Sequence, residues 1–321
     1  MHVLVTGGAG FIGSHLVDAL LDEGHRVRVL DDLSTGRREN LAARLDDVDL
    51  LVGDAADAAT AARAVAGVDA VLHHAALPSV ARSVAEPLVT HQAGATATLT
   101  LLEAARLAGV GRFVYAASSS AYGDARRLPK HEGMLPRPKS PYAAAKLAGE
   151  HYVHAYASLY GLEAVSLRYF NVFGPRQRGD SPYSGVISRF ITEVAQGRAV
   201  LLHGDGRQSR DFTYVDNVVQ ANLLALRARG LAGRAINVAA GQRVTLRSLL
   251  RVVGDALGQR VVIQRAPARA GDVRHSLADL RLATDVLGYR PLVGFEEGLR
   301  RTVRWHRQQG LQEPAVSSPA A

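Results

Sequence analysis

Short apolar runs alternate with segments of helical period through the first half of the chain. Val3-Leu4-Val5 is an unbroken apolar run, Phe11 to Leu21 has helical spacing, and Arg26-Val27-Arg28-Val29-Leu30 alternates like a strand. The pattern recurs with a strand near Leu50 to Val52, a helix near Ala56 to Ala66 and a strand at Ala70 to Leu72. A long Ala/Leu-rich helix near Ala95 to Ala108 precedes a strand from Arg112 to Ala116. Tyr142 to Tyr160 reads as helix, with Ser140 suited to its N-cap and Pro141 to its first position. Ala164 to Leu167 closes this half as a strand. Strands alternating with helices predict an α/β chain built on a doubly wound parallel sheet.

Beyond Asn171 the pattern changes. Gly174 to Ser184 is rich in Gly, Pro, Arg and Asp and reads as an irregular loop. Helices are expected near Ile187 to Ala195 and Asn217 to Arg227, and a strand at Ala235 to Val238 should return to the main sheet. A strand at Val261-Val262-Ile263 falls within a smaller, mostly helical region reaching Thr302. The segment 312–321 has no periodicity and is expected to be a disordered tail. No internal repeat is visible.

Bulk properties narrow the function classes. The chain has 321 residues, 47% hydrophobic content and no cysteine, which rules out disulfides and thiolate chemistry. No run approaches the roughly 18 apolar residues of a membrane span, and the start of the chain reads as a strand instead of a signal peptide. A cytoplasmic protein is expected. Net charge is +8, from 38 basic and 30 acidic residues. The arginines are scattered and not interleaved with aromatics, which argues against nucleic acid and leaves some of them to meet an anionic substrate. The histidines, His73-His74 included, show no ligand spacing, so no metal site is expected.

Thr6-Gly7-Gly8-Ala9-Gly10-Phe11-Ile12-Gly13 carries the first strong chemical signal. Glycines between a strand and a helix allow a tight turn and close approach of the backbone to a pyrophosphate, whose charge meets the helix start. An acidic pair, Asp31 and Asp32, ends the next strand, where a carboxylate can accept bonds from the adenosine ribose and repel a 2′-phosphate. These features point to NAD over NADP, with Gly7, Gly10, Phe11, Ile12, Gly13, Asp31 and Asp32 in contact. Asp54 and Ala55, then His74, Ala75 and Ala76, each follow a later strand where loops would flank the adenine and pyrophosphate.

Tyr142 and Lys146 lie one helical turn apart, so a lysine charge can stabilise a phenolate whose ordinary pKa is near ~10. Ser118-Ser119-Ser120 follows the strand ending near Ala117, at the carboxyl edge where ligands of a parallel sheet bind. Ser118, Tyr142 and Lys146 beside a nicotinamide make a set able to oxidise an alcohol carbon.

With these motifs the chain resembles the extended short-chain dehydrogenase/reductase family, specifically its UDP-hexose 4-epimerases, over nearly its whole length. Leu167 to Gly174, Ser209-Arg210-Asp211-Phe212 and Arg269 to Ser276 match the later motifs of that family. The resemblance implies a Rossmann domain at 1–171 and about 211–240, and a UDP-sugar-binding lobe at about 172–210 and 241–311. It implies that Ser118 contacts the sugar 4-hydroxyl, that Asn171, Arg210 and Arg269 hold the diphosphate, and that Asp272 meets the uridine ribose. Small residues at Ser276, Gly185 and Ser119 would leave room for a 2-acetamido group, and Gln177 belongs to the same substrate-facing set. The implied reaction is C4 epimerisation of a UDP-hexose on bound NAD, with Tyr142 as base and then acid. Its phenol would be lowered in pKa by Lys146 and the nicotinamide cation. UDP-glucuronate 4-epimerisation, reduction or dehydration of a nucleotide sugar, and a non-catalytic dinucleotide-sensing module are the alternatives. Relatives carry Asn-x-x-Gly-Thr at a helix start where this chain has Gly94 and Ala97. They commonly form homodimers through two helices per subunit, here the one before Ala108 and the one starting at Tyr142.

Overall fold

The computed structural model describes residues 1–178, 185–267 and 274–309. The 312–321 tail, Arg269 and Asp272 lie outside the described residues. In chain order the first six strands are β1 (His2–Thr6), β2 (Arg26–Asp31), β3 (Val48–Val52), β4 (Ala70–His73), β5 (Arg112–Ser118) and β6 (Glu163–Tyr169). Four short strands follow, β7 (Val172–Phe173), β8 (Val200–His203), β9 (Ser209–Asp211) and β10 (Thr213–Tyr214). The last three are β11 (Ala235–Val238), β12 (Arg243–Thr245) and β13 (Ile263–Ala266). Seven of them form one parallel sheet in the order β11-β6-β5-β4-β1-β2-β3.

The helices are α1 (Phe11–Asp22), α2 (Ala58–Val65), α3 (Val80–Ala85), α4 (Pro87–His91), α5 (Ala97–Leu107) and α6 (Pro141–Tyr160). After them come α7 (Val186–Ala195), α8 (Val215–Arg227), α9 (Leu246–Leu257), α10 (Arg281–Leu287) and α11 (Phe295–Gln308). Both faces of the sheet are covered, which explains the unbroken apolar strands. Val3 and Val5 pack on one face with Leu16 and Leu20 of α1 and Val218 and Ala221 of α8. Leu4 packs on the other with Ala61 of α2, Leu101 of α5 and Val153 of α6. A separate apolar cluster joins Phe190 and Ile191 of α7, Leu249 and Val253 of α9, and Phe295 and Leu299 of α11. Among the described residues no helix is long and apolar enough to cross a membrane.

Helix α6 begins where its sequence places it. Ser140 Oγ accepts from the Ala143 N–H at 3.2 Å, Pro141 takes the first turn, and Gly161 ends the helix at φ +68°. Two expectations shift. The helix expected near Ala95 is entered earlier: α4 starts at Pro87 and runs through a π turn at Gln92–Thr96 into α5. Gly94 therefore lies inside a helical path and not at a start. The polar stretch His91-Gln92 hid that continuity from a reading of apolar spacing. The strand expected at Val261–Ile263 forms two residues later, at Ile263–Ala266, paired in parallel with β8. Val262 and Ile263 are apolar yet 55% and 44% exposed, so hydrophobicity was a poor guide to this register.

Candidate active site

One cleft of about 1300 Å³ runs along the carboxyl ends of the central strands, and every described residue proposed from the sequence to touch cofactor or substrate lines it. Its floor at one end is the glycine turn. A Cβ on Gly13 would lie 2.1 Å from the Gly7 carbonyl oxygen, and one on Gly7, at φ +69°, would lie 2.7 Å from the Ala75 nitrogen. Three loops thus meet at backbone distance. No side chain caps the N-terminus of α1 and its first turn holds no acid, so its leading N–H groups are left to a phosphate. The turn fits a dinucleotide pyrophosphate, with Phe11 and Ile12 on the same wall.

Asp31 is buried, and its carboxylate already accepts the N–H groups of Ala9 and Leu33, both at 2.9 Å. Burial raises its pKa, against those bonds. It therefore shapes the glycine turn from behind while one face lines the cleft. Asp32 accepts from the Ser34 N–H and hydroxyl at 2.9 and 2.7 Å, which fixes the loop beside it. Asp54 and Ala55 line the cleft past β3, and His74, Ala75 and Ala76 past β4.

Several residues here escaped the sequence reading. Thr6 Oγ1 accepts the N–H groups of His74 and Ala75, each at 3.2 Å, and sits 2.7 Å from His73 Nδ1. Its signal was its place at the last strand position before the glycines. Asn40 Nδ2 donates to the Ala9 carbonyl at 2.8 Å, and nothing in its neighbourhood marked it. The Tyr169 hydroxyl lies 2.9 Å from His74 Nε2 and also bonds Asn222. Burial lowers the His74 pKa to about 3, so this imidazole stays neutral.

Ser118 ends β5, where its Oγ accepts from the Ser120 N–H at 3.1 Å and so starts the turn Ser119–Tyr122. It also hydrogen-bonds Tyr142. Burial pushes the Tyr142 phenol above its ordinary pKa, and the Ser118 bond opposes this. The polypeptide by itself thus raises this pKa, against the lowering expected from sequence, because desolvation of the phenolate is the larger effect. Lys146 is buried, donates to the Ala116 carbonyl at 2.8 Å, and holds Nζ 4.9 Å from the Tyr115 ring centre. Burial lowers its pKa to about 8.

The opposite end of the cleft is joined from distant segments. Asn171 has φ +36°, uncommon outside glycine, and its Nδ2 donates to the Asp211 carbonyl at 2.9 Å and to Ser276 Oγ at 3.4 Å. Ser276 Oγ also accepts the Asp211 N–H at 3.2 Å. Arg210 donates to the carbonyls of Ser209 and Arg274 at 3.0 and 3.3 Å and borders the cleft. Asp211, part of a matched motif but given no role from the sequence, is buried and accepts the N–H groups of Ala240 and Ala278 at 3.0 and 3.1 Å. It ties together the segments that carry Arg210 and Ser276, and burial raises its pKa to about 6. Gln177 Nε2 donates to the Val172 carbonyl at 3.0 Å, and a Cβ on Gly185 would lie 3.1 Å from that nitrogen. Among the described residues no group of acidic and imidazole side chains could hold a metal.

A doubly wound sheet with an uncapped, glycine-bounded helix start beside a Ser–Tyr–Lys cluster defines a dinucleotide-dependent oxidoreductive enzyme of the Rossmann type. The profile of the NAD dependent epimerase/dehydratase family matches residues 3–239. A UDP-glucose 4-epimerase of Mycolicibacterium smegmatis is 41% identical, covering 96% of this chain and 99% of the relative. A UDP-N-acetylglucosamine 4-epimerase of Methanobrevibacter ruminantium, solved with UDP-N-acetylmuramic acid, has TM-score 0.91 and 40% identity over 96% of this chain and 98% of that one. The UDP-glucose 4-epimerase of Thermus thermophilus, solved with NAD, has TM-score 0.87 and 41% identity over 96% and 99%. The chain belongs to the NAD-dependent epimerase/dehydratase family, in its extended short-chain dehydrogenase/reductase branch, and NAD is its cofactor.

Proposed function

We propose that this protein interconverts the C4 epimers of a UDP-hexose, accepting N-acetylated sugars and plain hexoses. The observation that carries this reading is one cleft in which Ser118, Tyr142 and Lys146 stand between the glycine turn and the Asn171–Arg210–Ser276 cluster. Ser118 orients the sugar 4-hydroxyl toward Tyr142, whose oxygen takes the O4 proton and later returns it to the same oxygen. Lys146 supplies the positive charge that favours the phenolate, against the desolvation that opposes it. Bound NAD supplies the acceptor, then the donor, of the hydrogen at C4. Asn171 and Arg210 hold the diphosphate, together with Arg269 and with Asp272 on the uridine ribose. This anchor keeps the ketone form in the cleft while the hexose turns its other face.

Three observations favour epimerisation of neutral and N-acetylated sugars within the family. The stretch after β5 presents the hydroxyls of Ser118, Ser119 and Ser120 and no carboxyl group to expel water. Position 185 is glycine packed near the Gln177 amide, so it offers no cation to a uronate. Ser276 is small and keeps its hydroxyl on the Asp211 backbone, which leaves room for a 2-acetamido group. Residues 1–171 and about 211–240 form the NAD-binding domain in this reading, with the sugar lobe at about 172–210 and 241–311. Two copies pair through α5 and α6, which leave Leu107 and Leu159 69% and 74% exposed on the single chain.

UDP-glucose, UDP-N-acetylglucosamine and UDP-glucuronate, each incubated separately without added cofactor, test the assignment. The 4-epimers of the first two should form with no net NADH. Turnover of the glucuronate alone, or release of water from any of them, contradicts it. Tyr142→Phe should lower kcat by about 10³-fold or more with an unchanged melting temperature.

A further inference from the structure

Helix α6 carries Tyr142, Lys146 and Glu150 at four-residue steps on one face. The Glu150 and Arg168 side chains are 9% and 3% exposed. Arg168 Nε donates to Glu150 Oε2 at 2.9 Å, and its Nη2 grips Oε1, a bidentate pair between α6 and β6. The guanidinium also lies 4.8 Å from the Tyr122 ring centre, and the Tyr122 hydroxyl donates to Asn237 at 2.7 Å. Tyr122 ends the turn that Ser118 begins. Arg168 Nη1 is buried without a hydrogen-bond partner among the described residues. A buried pair with an unmet donor stabilises a fold poorly compared with apolar packing, so its place one turn from Lys146 calls for another reason.

The groups facing Lys146 supply that reason. On its own helix Tyr142 and Glu150 lie one turn to either side, and the Tyr115 ring of β5 lies under it. Its charge reaches His73 at the end of β4 and His74 just past it. Arg168 of β6 is in register with Ala117, next to the Ala116 carbonyl that Lys146 holds. Burial keeps both imidazoles neutral and raises the Tyr115 phenol. Glu150 is then the carboxylate of this group, and its charge reaches Tyr115, the ring under the Lys146 ammonium. We propose that Arg168 is a positioning residue that binds the Glu150 carboxylate away from Lys146, so that the lysine charge acts on Tyr142. Without Arg168 the carboxylate, one turn along the same face, competes with the phenolate for that ammonium and also repels the phenolate directly. Without Glu150 the unmatched guanidinium acts in the opposite sense. The inference rests on Tyr142 being the proton carrier.

The test compares Arg168→Gln, Glu150→Gln and the double variant as purified holoenzymes. Two readouts are taken: the pH dependence of kcat, and the tyrosinate absorbance of Tyr142 as the difference from the same protein carrying Tyr142→Phe. Arg168→Gln should move both titrations up by about one pH unit, Glu150→Gln should move both down by a similar amount, and the double variant should return to the wild-type value. A merely structural pair would lower kcat and Tm in all three without moving either titration, which would overturn the proposal. If Arg168→Gln does not fold, the Glu150→Gln and double variants decide, and wild-type titrations in both overturn it. A Tyr142→Phe protein that still turns over defeats the catalytic reading itself. An inactive Tyr142→Phe with unshifted Arg168 and Glu150 variants defeats only this inference.

Discussion

The two ends of the cleft are built differently. The cofactor end is a row of consecutive turns, each within a few residues of the end of β1, β2, β3, β4 or β5. Its precision comes from backbone packed on backbone, as where Gly13 meets Gly7 and Gly7 meets Ala75. The sugar end is a junction of side chains from remote segments: Asn171 bonds Ser276, 105 positions away, and Asp211 ties the 240 and 278 segments together. Short-range geometry with little tolerance lies on one side. Long-range polar contacts that can be exchanged singly lie on the other. Substitutions at the first end should therefore abolish binding and damage the fold, whereas those at the second should grade affinity and selectivity.

Gly13→Val is the strongest test of that contrast. Its Cβ would meet the Gly7 carbonyl oxygen at 2.1 Å, so the turn must open. The purified variant should lack NAD, show no turnover and melt roughly 5–10 °C lower. Normal NAD content would break the comparison. Arg210→Gln comes next in size. It should raise KM for a UDP-sugar about 10–100-fold with kcat within a few-fold and Tm unchanged, because one charge-assisted anchor is lost and the chemistry is spared. Equal losses in kcat and kcat/KM would instead place Arg210 at the reacting carbon.

Ser276→Tyr sharpens the sugar end further. It should cut kcat/KM for UDP-N-acetylglucosamine by about 10-fold or more and leave UDP-glucose within about 3-fold, read by competition between the two. Parallel losses would remove Ser276 as a selectivity residue.

The smallest effect concerns stability. Lys146 has a folded pKa near 8 against 10.5 for the free side chain, so the folded protein holds fewer protons between those values. Its stability should rise with pH across that window, and the buried ammonium is a cost below it. On NAD-free protein, Lys146→Met should be up to about 3 kcal/mol more stable at pH 7, less whatever the lost bond to Ala116 contributed, and the difference should fade toward pH 10.5. A less stable variant at pH 7 would show that the lysine serves the fold and not the chemistry.

The same contrast governs what could be read from the chain. The glycine turn, the strands of the main sheet, the Ser140-Pro141 start of α6 and the Tyr142–Lys146 spacing are local patterns, so the cofactor end was legible residue by residue. Thr6, Asn40 and Tyr169 were not, since each acts through hydrogen bonds to backbone or side chains far along the sequence. At the sugar end, composition marked a loop, and assignment to Asn171, Gln177, Arg210 and Ser276 rested on family resemblance. The joints that assemble them, Asp211 above all, have no local signature. The phenol of Tyr142 shows the limit most clearly: its partners could be named from spacing, but the sign of its shift depends on burial, which spacing does not report.

The central claim is that a hydrogen leaves C4 and returns to the same carbon from the other side, with Tyr142 handling the proton on O4. A UDP-hexose deuterated at C4, incubated in ordinary water without added cofactor, tests this directly. The account predicts that the 4-epimer forms with the deuterium still at C4 and no NADH accumulating. Loss of the label to solvent, or NADH appearing in step with product, would contradict it.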